Sequence, residues 1–432
     1  MKYAIYPPEE MIEDAVVTLP LSKSISTRAL VLDALTPGGG GAGAIADCDD
    51  TRVIADAIAL FRTSPRGTSL TVDVKASGAA LRFLTAFFAV QAGCDVIVTG
   101  ETRLCQRPMQ PLVEALRMCG AEIEYLGEAG CAPLRIKGKP LEGGEVPVDA
   151  TVSSQFISAL LMVAPLMRRG LKILFEGEPV SLPYILMTIG MMAQRGVEAD
   201  REPLRVSVAP GEYRAFEQPT EGDWSAAAFW YEISALSAGW ITLTNLREDS
   251  LQGDRAAARF FECLGVNTVL SEETEGATDL VPSPEVYGRL DLDLTDNPDL
   301  APPLAVTCCL IGVPFRFVGL QNLGVKESDR LEALCREMDK IGRRVEKVRD
   351  FGLEWDGKGH PVAEMPVLDA HGDHRMAMAL APVGIYVPGI VVDGVETVSK
   401  SYPGYWEQLR SIGFRLEEVD GTNADAEKEA EE

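Results

Sequence analysis

A helical run that ends in glycine and is followed by a short alternating strand recurs five times along this chain. That recurrence limits the folds open to it more than any other feature. The copies are LVEALRMCGAEIEY, ILMTIGMMAQRGVEAD, ARFFECLGVNTVL, LEALCREMDKIGRRVEK and YWEQLRSIGFRLEEV. In each, apolar residues fall at three-to-four spacing, glycine suits the left-handed position that closes a helix, and a strand follows. The glycines are Gly120, Gly196, Gly265, Gly342 and Gly413, separated by 76, 69, 77 and 71 residues. A weaker copy, RVIADAIALFRTSPRG before SLTVDV, fills the first slot. Six units in 432 residues give about 72 residues each, too long for a solenoid repeat and enough for several strands and two helices. Helix, glycine and strand also follow one another by chance in α/β proteins, so the weight rests on the regular interval. The pattern predicts two similar α/β domains of three units each, with a ligand cleft between them.

The length supports more than one core, because a single core stops growing at about 250–300 residues, and 46% of the residues are hydrophobic. No run of about 18 apolar residues occurs, and MKYAIYPPEEMIEDAV carries acids where a secretion signal has an apolar segment. A soluble, cytoplasmic protein without membrane association is expected. The nine cysteines lack Cys-x-x-Cys spacing and the Cys308/Cys309 pair lies in an apolar stretch, which predicts free thiols and no structural zinc. Three histidines, His360, His371 and His374, are too few for a multi-histidine metal centre. The net charge of −25 argues against a nucleic-acid partner. Small anionic substrates remain open, since a cleft can concentrate cations beneath an acidic exterior. DGTNADAEKEAEE, from Asp420 to Glu432, reads as a disordered acidic tail.

Several helices begin with polar or small residues and turn abruptly apolar. LPLSKSISTRALVLDAL sets Lys23 and Arg28 beside a start that Ser22, Ser24, Ser26 or Thr27 can cap or line, which is either an anion site or a solvated helix start. SGAALRFLTAFFAV does the same with Ser77 and Gly78, VSSQFISALLMVAPL with Ser153, Ser154 and Gln155, and GDHRMAMAL with Asp373, His374 and Arg375. Each such residue is ordinarily a cap; several together suggest helix starts pointing into one cleft. Arg107 precedes Pro108, which fits the first turn of the next helix and would leave the arginine at its mouth. In NLGVKESDRLEAL, Lys326, Glu327 and Arg330 surround a start capped by Ser328 or Asp329, a pattern equally suited to intrahelical pairs. Asp299 leads from a polar turn into a buried stretch, as a cap or a proton carrier. Lys400 ends a strand before a Pro-Gly turn, where a lone lysine is ordinarily solvated.

In order and approximate spacing, LPLSKSISTRAL, TGETRLCQRPMQPLVEAL, VSSQFISALLMVAPL, NLGVKESDRL, GDHRMAMAL and SKSYPGYWEQL resemble the motifs of the 3-phosphoshikimate 1-carboxyvinyltransferase (EPSP synthase) family, from about Leu19 to Leu409. The resemblance implies two domains, each of three βαβαββ units with helices wrapped by sheet, an inside-out α/β barrel, with the active site in the interdomain cleft. The chain would cross between them near Thr18 to Leu21 and near Pro219 to Gly222. Residues 1–18 plus 222–420 would form a discontinuous domain with both chain ends, 19–221 the second domain, and 421–432 the tail. The implied reaction moves the carboxyvinyl group of phosphoenolpyruvate to the 5-hydroxyl of shikimate 3-phosphate and releases phosphate, a step towards chorismate and the aromatic amino acids. It requires no metal or organic cofactor; a monomer acting on small anionic substrates is expected, and its domains are expected to close on the first ligand, because cations from both halves must converge on it and repel one another while the cleft is empty.

Residue by residue, the resemblance assigns catalysis to Lys23, Asp299 and Glu327, the two acids being held ionised by nearby cations until protons move. It assigns shikimate 3-phosphate to Lys23, Ser24, Arg28, Ser153, Ser154, Gln155, Ser181, Tyr184, Asp299, Asn322 and Lys326. Phosphoenolpyruvate falls to Lys23, Gly78, Arg107, Gln155, Arg330, His374, Arg375 and Lys400. One stretch departs from the family: GNAGT, usual before the helix that carries the match to Arg82, is KASGAAL here, with Ala76 and Ala79 at the Asn and Thr positions. Two side-chain donors near phosphoenolpyruvate are therefore absent. Two other readings stay open. The enolpyruvyl transferase acting on UDP-N-acetylglucosamine carries a cysteine five residues before an Arg-Pro pair, where this chain has Thr102. A non-catalytic metabolite-binding paralogue would account for the altered turn.

Overall fold

The computed structural model describes residues 1–39, 42–65, 67–219, 221–272, 274, 276–349, 351–362 and 364–419. In chain order the helices are α1 (Lys23–Leu35), α2 (Asp49–Thr63), α3 (Gly78–Ala89), α4 (Thr102–Cys105), α5 (Gln110–Met118), α6 (Ser154–Val163), α7 (Leu182–Gln194), α8 (Trp224–Ser237), α9 (Ala257–Glu262), α10 (Ala301–Ile311), α11 (Arg330–Lys340), α12 (His374–Leu380) and α13 (Tyr405–Ser411). A helix that is apolar all round must be buried all round, whereas an amphipathic one covers a core from outside. The two kinds alternate along the chain. Every residue of α3 but Ala79 is buried, every residue of α6 but Gln155, and all of α12. The intervening α2, α5, α7, α9, α11 and α13 bury one face only.

Among the described residues the strands form five four-stranded sheets with one pairing pattern, a parallel pair followed by two antiparallel neighbours. Ser69–Asp73 runs parallel to Asp95–Thr99, which pairs antiparallel with Leu134–Lys137, which pairs antiparallel with Glu122–Tyr125. Buried α3 makes the crossover between the parallel pair, the kind of connection parallel strands require, and outer α5 leads to the last strand. The same order holds for Gly144–Asp149, Leu171–Glu176, Arg205–Val208 and Ala199–Glu202, and for Leu290–Asp293, Phe315–Val318, Gly352–Trp355 and Glu346–Val348. In the sheet of Ala15–Thr18, Ile241–Thr244, Ala277–Val286 and Leu264–Leu270, over two hundred residues separate the parallel pair. The fifth sheet takes Val367–Asp369 and Ile390–Asp393 from late in the chain, places Lys2–Tyr6 third, and ends on Arg415–Glu418.

Chain contacts divide the molecule into two units. One comprises Met1–Pro20, Trp224–Glu248 and the chain from Asp254; the other comprises Leu21–Asp223 and Asp249–Gly253. Each has its own apolar core, built around α8, α10 and α12 in the first and around α1, α3 and α6 in the second. The first slot of the repeat differs from expectation. Ser69–Asp73, the strand after RTSPRG, opens the next sheet as a parallel strand, whereas the strand after every other copy is an outer antiparallel one. No named strand occurs among the described residues between Lys23 and Gly67. The repeat glycines 120, 196, 342 and 413 all have positive φ, from 78° to 100°, as a helix-closing glycine requires. Gly265 has φ 85° but lies inside a strand, where the ladder shifts register.

The acidic tail at 420–432 lies outside the described residues. All nine cysteines are free, and burial pushes the Cys308 and Cys309 thiols up. Among the described residues no group of His, Cys, Asp or Glu could hold a metal ion, and no helix is long and apolar enough to cross a membrane.

Glu232, on α8, is wholly buried and neither carboxyl oxygen has a hydrogen-bond partner among the described residues. Burial pushes its carboxyl well above the usual range, so the folded chain holds the acid neutral. A raised folded value means the group's contribution is intact below the unfolded value of about 4.3 and is lost as pH rises towards the folded one. Glu232→Met should therefore stabilise the protein relative to wild type by an amount that grows with pH, at up to about 1.4 kcal/mol per pH unit. Urea unfolding at pH 5, 6.5 and 8 measures it. A constant difference would mean that Glu232 is ionised in the fold.

Candidate active site

The second unit presents the starts of α1, α3 and α6. Ser22 caps α1, its hydroxyl accepting from Ile25 N–H at 3.4 Å. Lys23 N–H donates to Asp223 Oδ2 at 3.0 Å, so two donors of this helix start are already satisfied by the protein. The anion site expected from the helix end itself is thereby partly filled, and the side chains carry the charge. Lys23 Nζ lies 3.2 Å from Oδ2 of buried Asp50. Arg28, one turn on, is buried. Its Nε donates to Thr188 Oγ1 at 2.7 Å, Nη1 to Ser24 C=O at 2.9 Å, and Nη2 to Ser158 Oγ and Tyr184 C=O, both at 3.3 Å. The guanidinium lies 5.3 Å from the Phe83 ring centre and 5.9 Å from that of Tyr184. Desolvation lowers its pKa to about 10, the Tyr184 side chain opposing, and the group stays charged at neutral pH.

Ser77 caps α3 and Ser153 caps α6. Ser154 is buried, and Gln155 Oε1 is buried without a hydrogen-bond partner among the described residues. Ser181 holds a left-handed conformation, φ 53°, at the start of α7, which also carries Tyr184. Proline does not open the helix after Arg107 as expected from Pro108; that place belongs to Pro111 in α5, and Arg107 follows the end of α4. A Cβ at Gly78 would fall 2.8 Å from Arg107 Nη1 and 2.9 Å from Arg82 Nη1, so only glycine admits both guanidinium groups undisturbed. Arg82 is itself buried, donating to Gly78 C=O at 3.1 Å. Gly78→Ala should therefore displace the tips of two long side chains rather than the backbone. Its expected effect is a KM for an anionic ligand at this helix start raised about tenfold, with the unfolding midpoint nearly unchanged, measurable by steady-state kinetics and urea titration.

The first unit gathers cations around carboxylates. Asp299 Oδ1 accepts from Arg330 Nη1 at 2.7 Å and lies 3.5 Å from Lys326 Nζ, while Oδ2 lies 3.3 Å from Arg375 Nη2. Burial alone would raise the Asp299 carboxyl. Arg375, Lys326 and Arg330 outweigh it and hold the group well below the usual carboxylate range. Glu327 is bracketed: Oε2 accepts from Arg330 Nη2 at 3.0 Å and Oε1 from Lys400 Nζ at 2.9 Å. Arg330, 1% exposed, also donates through Nε to Asp373 Oδ2 at 2.7 Å and through Nη2 to Asp373 Oδ1 at 3.1 Å. Burial opposes its charge, but Asp373, Glu327 and Asp299 together raise its pKa. Asp329, not Ser328, caps α11; the Ser328 hydroxyl donates to Asp373 instead. Asn322 and His374 are buried beside this group in sequence. Lys400, expected to be solvated, is buried against Glu327 at the end of a short turn.

Comparison with known proteins bears on these clusters. Residues 10–409 match the family model of EPSP synthase (3-phosphoshikimate 1-carboxyvinyltransferase). The chain belongs to the EPSP synthase family. A 3-phosphoshikimate 1-carboxyvinyltransferase of Bacteroides fragilis is 44% identical over 418 residues, covering 96% of this chain and 99% of the relative. One from Methanospirillum hungatei is 33% identical over 415 residues, covering 91% and 94%. An EPSP synthase structure from Acinetobacter baumannii, 20% identical, superposes with a TM-score of 0.75 over 96% of this chain and all of that one, which shows the shared fold.

Of the residues that the EPSP synthase motifs single out, Asp299, Lys326, Glu327, Arg330, Arg375 and Lys400 meet in one ion network, while Lys23 and Arg28 stand on one helix of the other unit. Asp50 is added by the structure, and Asp373, named from the sequence only at a helix start, gains its pairing with Arg330. From the sequence each is an acid at a helix start, indistinguishable from a cap; only Asp50's approach to Lys23 and Asp373's grip on Arg330 reveal a further use.

Proposed function

We propose that the chain transfers the carboxyvinyl group of phosphoenolpyruvate to the 5-hydroxyl of shikimate 3-phosphate, releasing phosphate, and that the two polar clusters are its substrate-binding and catalytic groups. The observation that carries this reading is Asp299, ionised among Arg375, Lys326 and Arg330 in a member of this family. Addition requires a base for the hydroxyl and an acid for the methylene carbon; elimination of phosphate requires the reverse transfers. A carboxylate gripped by three cations is a weak base. When substrate phosphate and carboxylate groups draw those cations to themselves, the Asp299 carboxyl should rise towards a value useful for accepting the hydroxyl proton. Glu327, between Arg330 and Lys400, is positioned for the second transfer, with Lys23 assisting.

Shikimate 3-phosphate is assigned to Ser24, Arg28, Ser153, Ser154, Gln155, Ser181 and Tyr184, with Asn322 and Lys326; the phosphoenolpyruvate groups are Gly78, Arg107, Arg330, His374, Arg375 and Lys400. Arg28 serves best as a rigid charge behind the Ser24 turn, since its fork is largely engaged. We read the two units as the functional domains of a cytoplasmic monomer acting on small anions, the choice of anions being supported by the cations gathered around Asp299 and Glu327. Release of phosphate from phosphoenolpyruvate, measured with and without shikimate 3-phosphate, tests the function. Release that depends on shikimate 3-phosphate supports it, and none in its presence overturns it.

A further inference from the structure

Behind the ion network lies a second buried carboxylate with no part in the scheme above. Glu337 is on α11, seven residues after Arg330 and therefore on the same face two turns along. It is fully buried. Its Oε2 accepts from Asp369 N–H at 2.8 Å and Lys340 Nζ at 2.6 Å, and its Oε1 lies 2.8 Å from His371 Nε2. Arg330 and Glu337 thus grip the same short connection, between the strand Val367–Asp369 and α12, at two points. Arg330 holds Asp373 at its end; Glu337 holds Asp369 and His371 at its beginning. The connection is sharply bent. His371 has φ 53° and Gly372 φ 68°, two left-handed residues in succession, a conformation uncommon outside glycine although histidine enters it more readily than most. Immediately beyond stand Asp373, His374 and Arg375, and Arg375 reaches Asp299.

We infer that Glu337 and His371 form a positioning pair for the substrate site: the hydrogen bond between them fixes the 370–373 turn and so sets where Asp373, His374 and Arg375 point. The inference rests on the assignment of Arg330 and Arg375 to phosphoenolpyruvate. It goes beyond that assignment in requiring a histidine that touches no substrate. The pair acts on ligand geometry rather than on proton transfer, so its loss should appear mainly in KM for the ligand that those residues hold.

His371→Gly is the decisive variant, because glycine accepts a φ of 53° more readily than histidine and removes only the side-chain contact. The expected result is a variant that folds with an unfolding midpoint lowered modestly, the relief at φ 53° offsetting part of the loss of a partner for buried Glu337 Oε1. KM for phosphoenolpyruvate should rise at least tenfold, with KM for shikimate 3-phosphate changed less than about threefold. His371→Gln, whose amide nitrogen can still donate to Glu337, should recover most of the difference. Wild-type KM values in His371→Gly would overturn the inference, as would an equal rise in both constants or a failure of His371→Gln to improve on glycine. Wild-type turnover under the same conditions separates this outcome from failure of the functional assignment: an inactive wild type removes the reaction itself, whereas an active wild type with an unaltered glycine variant removes only the positioning role.

Discussion

Replacing Lys23 by methionine should lower turnover at least about a hundredfold, a barrier increase of roughly 2.7 kcal/mol or more, while the fold persists. The ammonium group is proposed to meet both substrates, and methionine keeps the length and apolar stem of lysine without its charge. Structural damage is the competing explanation, and the geometry separates the two. Asp50 is buried, one of its oxygens has no hydrogen-bond partner among the described residues and the other faces Lys23 Nζ at 3.2 Å. Removing Lys23 strands that carboxylate and should cost about 1–3 kcal/mol of stability. Asp50→Asn in the same chain removes the stranded charge, so the double variant should regain most of the stability and none of the turnover. Urea unfolding and phosphate release, measured on the two single variants and the double variant, give both readouts. Turnover recovering together with stability would reduce Lys23 to a counter-ion for Asp50.

How much of this was readable in advance depends on the range of each interaction. The repeat was legible because its markers are local: a three-to-four apolar period and a glycine forced to positive φ within a few residues. Sheet membership was not. Lys2–Tyr6 finds its neighbours in Ile390–Asp393 and Arg415–Glu418, nearly four hundred residues away, and no local pattern distinguishes it from any other opening strand. The weak first copy misled for a related reason. A helix, a glycine and a strand are present, but which neighbour the strand pairs with decides its place, and Ser69–Asp73 pairs forward with Asp95–Thr99. Site residues followed the same rule. Helix-start motifs singled out Lys326, Glu327, Arg330 and Arg375, which the ion network joins, whereas the burial of Lys400 depends on Glu327, 73 residues away, and is invisible in SKSYPG. The same holds for Asp373, a cap by its own sequence and a clamp only once Arg330 is beside it.

The largest loss of stability is expected from Arg330→Met. Arg330 is 1% exposed and is shared by Asp299, Glu327 and Asp373. Breaking a buried ion pair by removing one partner costs about 3–5 kcal/mol, because the remaining charge keeps its desolvation penalty and loses its compensation. Here three carboxylates lose one partner, and the upper end of that range is the expectation, together with loss of turnover. Arg330→Lys restores a charge without the planar fork. A single ammonium cannot reproduce the spread of contacts to three acids, so it should recover part of the stability and little of the activity. The pH dependence identifies the cause. In the native chain the Asp299 carboxyl is held below its ordinary value, so its contribution is present above the unfolded value of about 3.9 and is lost as pH falls through the folded one. Without Arg330 the carboxyl rises part of the way towards its unfolded value, Arg375 and Lys326 staying beside it, and part of that contribution disappears. The stability gap between wild type and Arg330→Met should therefore be constant from neutral pH down to about pH 4 and narrow below it, where the unfolded chain takes up protons that the wild-type Asp299 carboxylate resists. Urea midpoints at pH 7, 4 and 3 measure the gap. If it stays constant across that range, the cost of the substitution lies in lost packing of a long side chain, and the charge network contributes little to holding this part of the fold together.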